Sequence, residues 1–311
     1  RPVVLVSLGL MAVPLAAMTA VHSYAQLLSV VCIIGFFAGG SFAIALPLAG
    51  EWFEKSEKGW ALGVVGAGNV GSVIAFFTAP HLAALAGWRA VFPMMILPVA
   101  LIFAVILGAL PNGPRKISAP GTSASGSPEQ APSSAILMLC ILYAVTFGGF
   151  VGVASVLPSF FGNHFGLAKS TAGALSALCL VIGSVIRPAG GAWADRVGSP
   201  FSLRVVLAGL ALCFLTTAWI PFLGGILVFL MAGLALLGLG NGVVFKMVSE
   251  QIPVSSMGFV TGLVGTAGGL GGFLLPFLLK GGLGFWVVGA CAGGLLLAIS
   301  FREKGRAPAW R

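Results

Sequence analysis

Arg187 is the residue with the most to say about chemistry. It stands in the run Gly183-Ser184-Val185-Ile186-Arg187-Pro188, inside an apolar stretch and eight residues before Asp195. At 1.5 Å per helical residue, that is about 12 Å from the polar boundary. In a hydrocarbon layer roughly 30 Å thick, the guanidinium then sits near the midplane. An arginine there costs at least about 2.5–3.5 kcal/mol. Residues that costly mark cavities and substrate paths. Guanidinium keeps its charge and grips planar oxyanions with two parallel hydrogen bonds. The plainer alternative is a structural arginine bonded to backbone carbonyls or reaching towards Asp195.

Other side chains fall at a similar depth. Tyr143 and Phe147 are four apart and share one helix face. Phe42, Asn69 and Asn241 lie about 12–18 Å from the same side of the membrane. Aromatic faces and amides of this kind suit a small planar anion. Packing is the alternative for Phe42 and Phe147, and helix–helix hydrogen bonding for Asn69 and Asn241. The seven acids are Glu51, Glu54, Glu57, Glu129, Asp195, Glu250 and Glu303, and none maps near a midplane. His22, His81 and His164 map to outer loops or span ends. With no central proton relay among these residues, an anion site is favoured over a cation or drug site. Lys246 is one turn from Glu250, so a simple pair competes with a gating role. Asp195-Arg196-x-Gly198 follows Gly190-Gly191 and reads as a gate or loop lock between helix ends.

The run Gly66-Ala67-Gly68-Asn69-Val70-Gly71 matches G-x-G-x-x-G letter for letter. A dinucleotide site needs a preceding strand and a downstream acid, and neither fits here. Gly66, Gly68 and Gly71 are therefore read as helix-packing positions, like Gly265, Gly268, Gly269, Gly271 and Gly272 further on. No cofactor and no metal site is expected.

The elements holding these residues follow from composition. Of 311 residues, 59% are hydrophobic and only 7% charged, against roughly 25% charged in soluble domains. A soluble enzyme and a disordered chain are both excluded, leaving an all-α polytopic membrane protein. Ten apolar spans are expected, at 3–21, 26–50, 59–80, 89–110, 135–157, 171–192, 203–220, 225–249, 258–279 and 283–300. Residues 111–134, rich in Pro, Ser and Gly, form a flexible linker. It separates an N-terminal bundle of four spans (1–110) from a C-terminal bundle of six (135–311). Cys32, Cys140, Cys179, Cys213 and Cys291 have no short paired spacing and read as small buried apolar residues.

Basic residues orient the chain. If the N-terminus is cytoplasmic, that side holds Arg1, Lys55, Lys58, Arg115, Lys116, Arg196, Arg204, Arg302, Lys304, Arg306 and Arg311. The other side holds only Arg89, Lys169 and Lys280. Both termini are therefore expected in the cytoplasm, with the chain in the inner (plasma) membrane. Because these charges are dispersed at span ends, the net +9 speaks for bilayer contact and not for nucleic acid.

Residues 59–66 resemble residues 258–265, and at the same offset Glu51 matches Glu250 and Gly39 matches Gly238. Spans two and three of the first half thus correspond to spans four and five of the second. The expected parent is a 6 + 6 parallel repeat, a transporter plan, with two further spans ahead of Arg1. Ten spans alone are not expected to transport.

Gly191-Ala192-Trp193-Ala194-Asp195-Arg196-Val197-Gly198 resembles the cytoplasmic loop motif of the major facilitator superfamily. Arg1-Pro2-Val3-Val4 looks like the tail of the equivalent loop in the first half. Gly66 to Gly71 and Gly265 to Gly272 resemble the two Gly-rich signatures of the nitrate/nitrite porter family. Gly240-Asn241-Gly242-Val243-Val244-Phe245-Lys246 and Tyr143 to Gly148 look like that family too. The resemblance implies a facilitator-type secondary transporter of nitrate or nitrite, rocking two halves about a midplane anion site. It implies two membrane arginines, Arg187 being the second and the first lying upstream. It also implies a pocket with Asn69, Tyr143, Phe147 and Phe42. The expected partners are the anion and the lipid bilayer, and a monomer is expected. A carrier of another organic anion or a drug, and a non-transporting sensor or scaffold, stay as alternatives. The lack of central carboxylates leans towards nitrate/nitrite exchange over proton symport.

Overall fold

The computed structural model describes residues 1–52, 60, 64–65, 68, 70–109, 132–253, 256–279 and 284–304. The described residues are helical, with short turns between helices. Two compact units emerge, one of Arg1–Leu48 with Phe77–Glu129 and the other of Ala49–Phe76 with Gln130–Arg311. The break at 129–130 lies inside the Pro/Ser-rich segment, whereas the other two fall within helices.

α1 (Pro2–Ala17), in the first unit, leads through a 3-10 turn (Met18–Ala20) to α2 (Tyr24–Trp52), which belongs to that unit as far as Leu48. α3 (Val70–Ala86), of the first unit from Phe77 on, is followed there by α4 (Trp88–Met94) and α5 (Ile96–Ala109). The apolar stretch 89–110, expected as one span, lies in one membrane-length segment, Trp88–Ala109, with a turn at Met95 between α4 and α5. Pro98 contributes to the turn, since it has no N–H for the carbonyl of Met94. Polar groups are satisfied locally. Ser7 Oγ donates to the Phe37 carbonyl at 2.8 Å, and Arg89 Nε donates to the Val21 carbonyl at 2.7 Å.

The second unit carries α6 (Ser133–Phe165), α7 (Lys169–Val185), α8 (Arg187–Val197), α9 (Ser199–Thr216), α10 (Leu223–Gln251), α11 (Met257–Leu278) and α12 (Trp286–Lys304). α6 packs along α11, α10 lies against α6, α7, α8 and α9, and α12 lies against α9. The core is apolar, with Leu142, Leu157, Leu207, Leu234 and Val264 buried.

Two expected spans differ from what forms here. The expected span 135–157 is 33 residues long as α6, since Pro158 is accommodated inside it. It ends at Gly166, whose φ of +65° makes the left-handed cap. The expected span 171–192 lies within a longer membrane-length segment, Lys169–Val197, which makes a turn at Ile186 between α7 and α8. Pro188 lacks the N–H that would bond the Ser184 carbonyl. Arg187 is the first residue after that turn.

Among the described residues, eight helical segments are long and apolar enough to cross a membrane. Val70–Ala86 and Trp286–Ser300 are shorter apolar helices. The first partner of the internal repeat, 59–66, falls largely outside the described residues.

Candidate functional site

Glycines build the site by letting helices touch. A β-carbon on Gly148 of α6 would lie 2.8 Å from the Gly271 and Gly272 backbone of α11. On Gly268 it would lie 2.5 Å from the Tyr143 ring, and on Gly272 3.1 Å from Val151. The seam between α7–α8 and α10 is closer still. Gly190 abuts the Leu239 carbonyl, Gly238 abuts the Gly183 carbonyl, and Gly242 abuts the Arg187 carbonyl. Gly265, Gly269, Gly68 and Gly71 have no heavy atom within 4 Å of a β-carbon position among the described residues. Gly66 lies outside the described residues.

This close seam sets the level of the functional side chains. Arg187 is ten residues from the end of α8 at Val197, and Asn241 is ten from the end of α10 at Gln251. Tyr143 is ten residues into α6 from Ser133. Each is about 15 Å from its helix end, so all three share one depth. Arg187, Tyr143 and Asn241 are all 0% exposed.

The aromatic groups are ordered around the guanidinium. Tyr143 and Phe147 stack with centroids 4.9 Å apart and planes 4° from parallel. The Arg187 Cζ lies 5.5 Å from the Phe147 centroid. It lies nearer, 4.6 Å, to Phe150. Phe245, one turn beyond Asn241, meets the Tyr143 ring at 5.1 Å.

Several polar atoms here have no hydrogen-bond partner among the described residues: Tyr143 Oη, Ser184 Oγ, and both Oδ1 and Nδ2 of Asn241. An unmet buried polar group costs about 1–3 kcal/mol. Helix–helix hydrogen bonding, the alternative for Asn241, is not made within the described residues.

The structure thus brings together Arg187, Tyr143 and Phe147, and puts Asn241 at their level. Asn69 lies outside the described residues. Phe42 is on α2, but its side chain is not among those described. Phe150, Ser184 and Phe245 were missed by sequence reasoning. Phe150 had a signal, being three residues from Phe147 and seven from Tyr143 on the same helix face.

A second cluster sits at one end of the bundle. Lys246 Nζ is 2.6 Å from Asp195 Oδ1 and 3.8 Å from Glu250 Oε1. Ser199 Oγ donates to Glu250 Oε2 at 2.8 Å. The expected Lys246–Glu250 pair is therefore the longer of two, because α8 brings Asp195 closer than the helical neighbour. Arg196 is exposed. Cys179 and Cys213 are buried as expected, but Cys32 and Cys291 are exposed. An apolar side chain facing outward from a membrane helix has lipid as its solvent, which is why burial was the wrong expectation for those two.

Comparison with known proteins gives this arrangement a context. The model of the Major Facilitator Superfamily matches residues 1–276. The chain is 31% identical over 250 residues to the "Nitrite extrusion protein" of Bacillus subtilis, covering 79% of this chain and 62% of that protein. It is 30% identical over 299 residues to a "Probable nitrate/nitrite antiporter" of Thermus thermophilus, covering 85% of this chain and 66% of that one. The chain therefore spans less than two thirds of the length of these relatives. Among solved structures, the human organic anion transporter MFSD10 superposes with a TM-score of 0.72 at 19% identity, covering 97% of this chain and 76% of that one. That likeness is one of fold. By the match along most of its length, the chain belongs to the Major Facilitator Superfamily and is a multi-pass integral membrane protein.

Proposed function

We propose that this chain forms the anion-handling part of a nitrate/nitrite carrier that works by alternating access. The observation that carries the reading is Arg187, wholly buried and laid over aromatic faces. Tyr143 Oη, Ser184 Oγ and the Asn241 amide are buried with no partner among the described residues. In this reading Arg187 takes two oxygens of the planar anion through its fork, which also offsets the cost of a buried charge. Tyr143 Oη and the Asn241 amide supply further hydrogen bonds, and the stacked Tyr143 and Phe147 rings form a flat apolar wall. The names of the relatives support nitrate and nitrite as substrates.

Alternating access exposes the site first to one side of the membrane and then to the other. The Asp195–Lys246–Glu250 cluster, with Arg196, acts as a gate at the cytoplasmic end, both termini lie in the cytoplasm, and the protein works as a monomer. Exchange of nitrate for nitrite needs no titrating group at the site.

The test is flux of isotopically labelled nitrate into proteoliposomes that hold the whole carrier of which this chain is proposed to be part. Uptake driven by internal nitrite, absent from empty vesicles, is the expected result. No nitrate or nitrite movement under any gradient would overturn the reading.

A further inference from the structure

The reading above gives Phe150 no role of its own, yet it makes a closer aromatic contact to the cation than Phe147 does. Its ring centroid is 4.6 Å from Arg187 Cζ, against 5.5 Å for Phe147. Phe147 and Phe150 lie on one face of α6. Phe147 is committed to its stack with Tyr143. Phe150 is 2% exposed. Its Cε2 atom lies where Gly183 leaves room: a β-carbon on Gly183 would be 2.6 Å from it and 2.5 Å from the Leu234 carbonyl. Gly183 is one turn before Arg187, on the far side of the turn at Ile186. One glycine therefore opens a slot, and the ring in that slot lies under the guanidinium of the next turn.

We propose that Phe150 is a positioning residue that fixes the plane and depth of the Arg187 guanidinium for anion binding. This rests on the reading of Arg187 as the anion site. The argument is electrostatic and geometric. A ring face attracts the cation without occupying any of its N–H donors, unlike a carboxylate or a carbonyl. The ring thus adds to the hold on Arg187 without taking up an N–H. A carboxylate in the same slot would neutralise the site. An aliphatic side chain would fill the slot without the attraction, leaving the fork to wander among rotamers.

The electrostatic part separates cleanly from packing. Replacing Phe150 with phenylalanines carrying one, two and three ring fluorines weakens the face charge stepwise and leaves the shape nearly unchanged. The measurement is nitrate affinity of the purified protein, with the thermal midpoint recorded for every variant. The expected result is an affinity that falls with each fluorine at an unchanged midpoint, and a loss of roughly fivefold to thirtyfold in Phe150→Leu. If Phe150→Leu fails to fold, the fluorinated series still decides the question. Nitrate bound equally well by all fluorinated forms would overturn the positioning role and leave the anion site standing. Absence of nitrate and nitrite binding in the unaltered protein would overturn both.

Discussion

Gly242→Ala probes how tightly the site depends on backbone contact. A β-carbon there would press on the Arg187 carbonyl, 2.6 Å from Gly191 N and 3.1 Å from a Gly190 backbone carbon. Normal carbon contacts are about 3.5–4.0 Å, so α8 must retreat by roughly 1 Å. All the atoms in the way are backbone, and none can be rotated aside. Overpacking of this kind costs about 1–3 kcal/mol. The functional effect is expected to be larger than the loss of stability suggests, because the first residue displaced is Arg187. A 1 Å misplacement in a site can cost on the order of a hundredfold. Gly265→Ala is the control, since nothing described lies within 4 Å of its β-carbon position. The assay pairs thermal denaturation in detergent with nitrate uptake in proteoliposomes. Gly242→Ala should lower the melting midpoint and reduce uptake tenfold or more. Wild-type uptake and stability in Gly242→Ala would refute the claim that the α8–α10 contact sets the level of Arg187.

Further substitutions test other parts of the account. Asn241→Leu exchanges a buried amide with no partner among the described residues for an apolar side chain of similar volume. Nitrate affinity should fall about tenfold with stability equal or higher, whereas a large stability loss would mean the amide is bonded within the fold. Asp195→Asn removes the nearer partner of Lys246. Breaking a buried pair costs about 3–5 kcal/mol, and Glu250 at 3.8 Å should hold the loss below that. A double-mutant cycle with Lys246→Gln, read by thermal unfolding, should give a coupling of about 0.5–3 kcal/mol. Gly198 joins α8 to α9 at a φ of +91°, so Gly198→Ala should destabilise by about 1–2 kcal/mol. A melting midpoint equal to wild type would contradict that strain.

Much of the fold was legible because the bilayer demands long apolar helices, and the sequence supplies them between charge clusters. What escaped was local or tertiary. The turns at Met95 and Ile186 lie beside prolines, inside runs that stay single membrane-length segments. α6 outran its expected end because a proline can be tolerated in a membrane helix when neighbouring helices pack around it. Arg187 stood out because a charge in an apolar run is costly, and Tyr143 with Phe147 because four residues make one helical face. Phe150 did not, because a lone phenylalanine in such a run is ordinary wall material. Lys246 was assigned to Glu250 by the i,i+4 rule. Its shorter contact with Asp195 depends on how α8 crosses α10, which no local pattern encodes.

The central claim is that the planar fork of Arg187 reads a planar oxyanion. Arg187→Lys keeps the charge and removes the fork, so nitrate affinity of the purified protein is the most direct measurement. Loss of a charge-assisted pair of hydrogen bonds should weaken nitrate binding by about tenfold to a hundredfold, with the melting midpoint little changed. Nitrate bound by Arg187→Lys as tightly as by the unaltered protein would contradict the account.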